Sequence, residues 1–190
     1  MIHPTIPETL EFIKTAHGSQ VDKGGQPYWH HPVRVMARLR HSCFSEAVRH
    51  AALLHDVVED TDETLDSLRA RGYGEDVLKL VGMLTKKEGE AYMNYAMRLV
   101  FSGVDEALAI KLADIYDNMA PSRREPIRNN IHLISRYMRL SQMIQGGIPQ
   151  LARRVVPGDL VIVEQTDDEF LASMERPDAE DDAFFVDEDE

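Results

Sequence analysis

The sequence predicts an all-α fold: a single-domain helical bundle over residues 1–147, followed by a short acidic extension over 148–190. Three observations predict it. Apolar residues recur three and four apart in segment after segment, the spacing of one helical face. The segments are bounded by caps, prolines and glycines rather than by hairpin turns. Only Leu160–Val163 reads as a strand, and one strand does not make a sheet. With 190 residues at 43% apolar composition, the chain is long enough to close one core.

Thr5, with Glu8 three residues later and Pro7 in the first turn, opens a helix through His17 whose apolar side is Ile6, Leu10, Phe12 and Ile13. A loop at Asp22–Pro27, rich in glycine and proline, follows, and a second helix starts at about Pro32 with Val33, Met36, Ala37 and Leu39 inside. The third runs through Ala51–Val58 and ends on Glu59 and Asp60. Thr61 through Glu63 cap a short helix with Leu65 and Leu68, closed by Gly72. Val77–Leu84 and Tyr92–Phe101 read as two more helices. Asp105 to about Met119 carries the stripe Leu108, Leu112, Ile115 and Met119 and stops at Pro121. The last long helix begins at Pro126 and ends at Gly146 and Gly147. Thr166 with Glu169 caps at most one short helix, and the composition beyond Pro177 predicts disorder.

The net charge of −12 is concentrated: from Glu164 onward there are thirteen Asp and Glu against one Arg, and the rest of the chain sums to zero. A neutral body argues against nucleic-acid binding by phosphate neutralisation, and the acidic run suits a basic partner. The single Cys43 makes no internal disulfide, no stretch approaches the ~18 apolar residues of a membrane span, and the first residues lack the order of a signal peptide. These features predict a reducing cytoplasm and no membrane partner. They leave the oligomeric state open.

The chemistry concentrates in His55-Asp56-Val57-Val58-Glu59-Asp60, at the end of an apolar run. On a helix His55 and Glu59 are four apart, as are Asp56 and Asp60, so one nitrogen and three carboxylates crowd one end of one element. Buried charges are paired or bound to metal. Two other polar groups sit in apolar surroundings: His31, beside His30 and Pro32 at a helix start, and Asp114, in a line with Lys111 and Asn118. The plain alternative is core histidines, N-terminal charges and a wet helix face. Two imidazoles and two carboxylates, from His31, His55, Asp56 and Asp114, suit one six-coordinate Mn²⁺, Fe²⁺ or Zn²⁺ better than Ca²⁺. His3, His17, His41, His50 and His132 lack the paired spacing of ligands, and His30 is a substitute candidate for His31. Lys86–Glu90 with Tyr92 and Tyr95 reads either as a lid or as a solvated turn.

These motifs together resemble the HD-domain metal-dependent phosphohydrolases, and within them the hydrolase half of the RelA/SpoT family and its small alarmone hydrolases. The resemblance covers about residues 12–125: Ala16, His17, Gln20, Lys23, Gly25, Pro27, Tyr28, His31 and Pro32, then His55–Thr61, then Leu84–Lys86, then Lys111–Asp114 with Asn118. It implies one Mn²⁺ on His31, His55, Asp56 and Asp114, the attacking water handled by Glu59 and Asp60, and a nucleotide pocket lined by Lys23, Thr85, Lys86 and Asn118. The implied reaction is hydrolysis of the 3′-pyrophosphate of ppGpp or pppGpp. Asp22, Ile115 and Asp117 depart from the family's usual Arg, Arg and His. An acid at Asp22 would repel a phosphate but could accept hydrogen bonds from a base edge. Two other readings remain: an HD phosphohydrolase for another nucleotide, such as a nucleoside monophosphate or NADPH, and a non-catalytic nucleotide-sensing protein.

Overall fold

The computed structural model describes residues 4–22, 25–39, 43–121, 130–155 and 157. Its helices, in chain order, are α1 (Ile6–His17), α2 (His30–Ala37), α3 (Glu46–Leu54), α4 (Val57–Asp60), α5 (Leu65–Ala70), α6 (Glu75–Leu84), α7 (Tyr92–Val100), α8 (Asp105–Met119) and α9 (Ile131–Gly147). A 3₁₀ turn, Pro149–Arg153, follows. Among the described residues there is no strand, only isolated bridges between Val21 and Pro27 and between Leu39 and Val155. The all-α expectation holds. Lys23, the helix start at Pro126, the strand-like Leu160–Val163, the Thr166 cap and the acidic run lie outside the described residues.

Local chemistry sets the boundaries. Thr5 and Glu8 form a reciprocal capping box at α1, so two of the helix's orphan amide groups are satisfied. Helix α2 begins at His30, two residues earlier than expected. Pro32 then falls in the first turn, where the missing N–H needs no partner. The cap of α5 is Thr64 rather than Thr61: Thr64 and Ser67 exchange bonds, while the Thr61 hydroxyl donates back to the Val57 carbonyl at 2.6 Å. The largest departure is in the third predicted helix, which is not continuous. It breaks at His55–Asp56, a turn in which Asp56 lies at the edge of the helical region (φ −103°, ψ −8°), and a separate short helix, α4, begins at Val57.

Helix α3 is the centre of the bundle, packed by α1, α2, α6 and α8. Ala51, Ala52, Leu53 and Leu54 are fully buried. Helix α8 is buried on nearly every side, from Ala107 to Ile110 and from Leu112 to Ile115, as expected of an element with neighbours all round. Leu151 and Val155 also belong to the core, so the segment just after Gly147 packs into the bundle.

The loop between α6 and α7 is fastened from one side. Arg98 on α7 donates from Nη1 to the Met83 carbonyl at 3.1 Å and from Nη2 to the Thr85 carbonyl at 3.2 Å. It also holds Glu90 through two bonds of 2.9 Å. Tyr95 is buried and its hydroxyl donates to the Leu84 carbonyl at 2.8 Å. Of the two expectations for this stretch, a lid or a solvated turn, these bonds and the buried Tyr95 fit the turn.

Candidate metal centre

Three elements deliver the cluster. His31 comes from α2, His55 and Asp56 from the break between α3 and α4, and Asp114 from α8. The break matters because neighbours on a regular helix point about 100° apart. Here His55 Nε2 and Asp56 Oδ2 are 3.0 Å apart. Asp114 Oδ1 lies 3.1 Å from His31 Nε2 and 3.9 Å from His55 Nε2, and Asp56 Oδ2 lies 3.6 Å from His31 Nε2. Ligand atoms seated at ~2.1 Å around a common ion are about 3 Å or slightly more from their neighbours, so these spacings fit one divalent ion. His31, His55 and Asp56 each offer an atom within 4.8 Å of the others.

Both imidazoles present the same nitrogen. His31 Nδ1 faces Asp117 Oδ2 at 2.8 Å, and His55 Nδ1 faces the Ala52 carbonyl at 2.8 Å. A carbonyl can only accept, so His55 carries a proton on Nδ1, and Nε2 is the nitrogen that faces the carboxylates and is left to ligate an ion once it gives up its own proton. That buried Nε2 makes no well-formed hydrogen bond, which an ion would remedy. The donor set therefore fits a metal.

The electrostatics of the residues agree. Burial opposes charge on Asp114, yet Lys111 Nζ, 2.6 Å from its Oδ2, and the two histidines hold the carboxyl well below its usual range. Asp56 is likewise held below its usual value: burial raises it, and His55 overcomes that. His55 itself is pushed up to about 10, because Asp56 and Asp114 outweigh its burial. Asn118 donates its amide to the Asp114 carbonyl at 3.0 Å and to Asp114 Oδ1, so in this structure it tethers a ligand candidate rather than facing open space.

The predicted catalytic pair stands one turn on. The Asp60 amide donates to the Asp56 carbonyl at 2.8 Å, which keeps the two carboxylates on one side. Tyr28 bridges them, donating toward Asp56 Oδ2 at 2.7 Å and Asp60 Oδ2 at 3.0 Å. Burial, then the charge of Asp56, raises the Asp60 carboxyl above its ordinary value. Glu59 is exposed and its Oε2 accepts the Lys86 amide at 2.9 Å, which brings the Thr85–Lys86 turn to the rim of the cluster. Thr85 uses its own hydroxyl on the Val81 carbonyl. His30 packs edge-on against Trp29, with ring centroids 4.0 Å apart, and His31 is the α2 histidine in the cluster.

Sequence reasoning missed the supporting groups. Asp22 is not available to a base edge: its side chain is buried, Oδ2 accepts from Arg34 Nη2 at 2.8 Å, and Oδ1 accepts the Gln26 amide at 3.1 Å. Asp117, read only as a departure, is buried against His31, Arg34 and Arg38. A signal was present: two unexpected acids, and two arginines, Arg34 and Arg38, one turn apart in the otherwise apolar stretch Pro32–Leu39.

A profile of the HD domain matches residues 9–119. The chain is 37% identical over 120 residues to the guanosine-3′,5′-bis(diphosphate) 3′-pyrophosphohydrolase of Aquifex aeolicus, covering 60% of this chain and 17% of that protein. It is 35% identical over 126 residues to a probable enzyme of the same description from Synechocystis, covering 62% and 16%. It is also 39% identical over 114 residues to a GTP pyrophosphokinase of Streptomyces coelicolor, covering 56% and 13%. The chain thus spans about a sixth of the length of these curated relatives. A solved structure, from work on a metazoan ortholog of SpoT that hydrolyses ppGpp, superposes with a TM-score of 0.57 at 24% identity, covering 80% of this chain and 97% of the other. That likeness concerns the fold.

Proposed function

The chain belongs to the HD-domain family, and from that membership and the geometry of the cluster we propose that it is a metal-dependent phosphohydrolase that cleaves the 3′-pyrophosphate of ppGpp or pppGpp. The observation that carries this reading is the convergence of His31, His55, Asp56 and Asp114 with Glu59 and Asp60 one turn beyond. The metal is Mn²⁺, with Fe²⁺ and Zn²⁺ chemically compatible with the same donors. When bound, a divalent ion lowers the pKa of water and draws charge from phosphoryl oxygens.

The chain's own residues supply the rest. Asp60, its carboxyl raised and its position fixed by Tyr28, takes the proton of the attacking water, and Glu59 at the rim orients that water. The water oxygen bonds to the phosphorus attached to the ribose 3′ oxygen. The bond from that phosphorus to the 3′ oxygen breaks, and a proton returns to the oxygen that leaves. One water is consumed, and GDP or GTP and pyrophosphate are released. Lys111 neutralises Asp114, and Thr85, Lys86 and Lys23 are placed by resemblance along the nucleotide. The acidic run from Glu164 suits contact with a basic partner.

The burial of Asp22 favours keeping a second reading, an HD phosphohydrolase for another nucleotide, because this loop side chain is committed inward. One experiment separates the readings. The purified chain is incubated with Mn²⁺ and, separately, ppGpp, pppGpp, NADPH and nucleoside monophosphates. Pyrophosphate from ppGpp is the expected result. Free phosphate from another substrate, with ppGpp untouched, would replace the substrate proposed here.

A further inference from the structure

Four side chains from three places in the fold form one buried line. Asp22, in the loop after α1, accepts from Arg34 Nη2 at 2.8 Å. Arg34 donates from Nε to both oxygens of Asp117 on α8, at 3.0 and 3.2 Å. Asp117 Oδ2 faces His31 Nδ1 at 2.8 Å, and its Oδ1 also receives Arg38 Nη2 at 3.2 Å. The side chains of Asp117 and Asp22 are 0% and 2% exposed, and that of Arg34 is 9% exposed. Two arginines against two aspartates balance the charge, but burying four charges is a poor way to hold α2 on α8. Apolar residues of the same volume would do so as well or better. The line therefore suggests a positional role.

The end of the line shows what is positioned. An imidazole has two nitrogens, and the partner of one decides what the other does. With Asp117 on Nδ1, His31 directs Nε2 to within 3.1 Å of Asp114 Oδ1 and 3.6 Å of Asp56 Oδ2. The other end lies in the loop that precedes α2. There the Asp22 amide donates to the Gln26 carbonyl at 2.7 Å, and Asp22 Oδ1 accepts the Gln26 amide at 3.1 Å. One carboxylate thus closes the loop with one oxygen and holds Arg34 with the other.

We propose that Asp22, Arg34 and Asp117 act as a positioning relay that fixes the ligating nitrogen of His31 and couples the paired Asp22–Gln26 contacts to metal binding. The proposal rests on the metal reading of the cluster given above, and not on the identity of the substrate. None of the three touches the reacting atoms. Asp22 becomes an outer anchor of the metal centre rather than a reader of the base. By linkage, whatever secures the Asp22–Gln26 contacts tightens the ion, and the ion secures those contacts by the same factor.

Isothermal titration of Mn²⁺ into the purified full chain tests this without recourse to turnover. Asp117→Asn should weaken Mn²⁺ binding about 10- to 100-fold, the usual effect of losing the partner of a ligating histidine. Asp22→Asn, one step further out, should weaken it by about two- to thirtyfold, with Asp22→Glu recovering part of the loss. Hydrogen exchange at the Asp22, Gln26 and Tyr28 amides should slow when Mn²⁺ is added to the wild type and change less in Asp22→Asn. A merely structural role predicts lower melting temperatures with unaltered affinity of the folded chain, and that result overturns the relay. If Asp117→Asn does not fold, Asp22→Asn decides alone: affinity equal to wild type overturns the proposal. A wild-type chain that takes up no Mn²⁺, Fe²⁺ or Zn²⁺ overturns both the relay and the metal reading. A chain that binds metal but releases no pyrophosphate overturns only the substrate.

Discussion

Asp60 illustrates how one side chain acquires a role from its neighbours. An acid at the C-terminal end of a helical turn is poorly placed against the helix dipole, so local stability does not account for it. Burial and the charge of Asp56 raise its carboxyl, and Tyr28 holds it beside the cluster. Asp60→Asn should therefore lower turnover about 10²- to 10⁴-fold while leaving Mn²⁺ affinity nearly unchanged, read by pyrophosphate release beside metal titration. A variant with wild-type rate would remove Asp60 from the chemistry. His55 predicts a pH dependence. Its folded value is pushed up from 6.5 to about 10, so in the metal-free chain its pairing with Asp56 and Asp114 stabilises the fold below pH 6.5 and is lost as pH rises through about 10. Metal needs the neutral ring, so uptake at neutral pH displaces a proton and affinity climbs with pH. Titrations in buffers of different ionisation enthalpy would show that proton. At this scale the sequence revealed the ligand candidates, because histidines and acids inside apolar runs are conspicuous. Tyr28, Arg34 and Arg38 were not assigned roles, because a hydroxyl or guanidinium is defined by a partner far away in the chain.

At the scale of elements, helices were legible where their ends carry chemistry. The Thr5–Glu8 box and the Asp105 start were read directly, and Thr5→Ala should cost about 1 kcal/mol in chemical denaturation. The break at His55–Asp56 was not legible, because helical periodicity continues smoothly through Leu53, Leu54, Val57 and Val58 on both sides of it. It is imposed by tertiary demand: Leu53 and Leu54 stay in the core while the two ligand candidates turn toward α2 and α8. Leu53→Ala leaves a hole in the central helix and should destabilise the chain by about 2–5 kcal/mol, measured by urea unfolding. A cost below 1 kcal/mol would mean that α3 is less central than its packing indicates.

For the whole molecule, the class of fold and the meeting of three distant segments followed from pattern and resemblance, while the contribution of Leu151 and Val155 to the core did not, since glycine marks where a helix stops and says nothing of what packs after it. Because the cluster joins α2, the α3–α4 break and α8, an ion that binds only the folded chain stabilises all three together. At a hundred times its dissociation constant, Mn²⁺ should add about 2.7 kcal/mol to the unfolding free energy, and a thermal melt that does not move would contradict the metal reading. The strap made by Arg98 bears on traffic. With Met83, Thr85 and Glu90 all moored to one guanidinium, the turn carrying Lys86 forms a fixed wall beside Glu59, and on the function proposed above nucleotide would enter and leave without that turn swinging aside. Arg98→Ala would unmoor the wall, and stopped-flow records, single-phased in the wild type, should then acquire a second, slower phase.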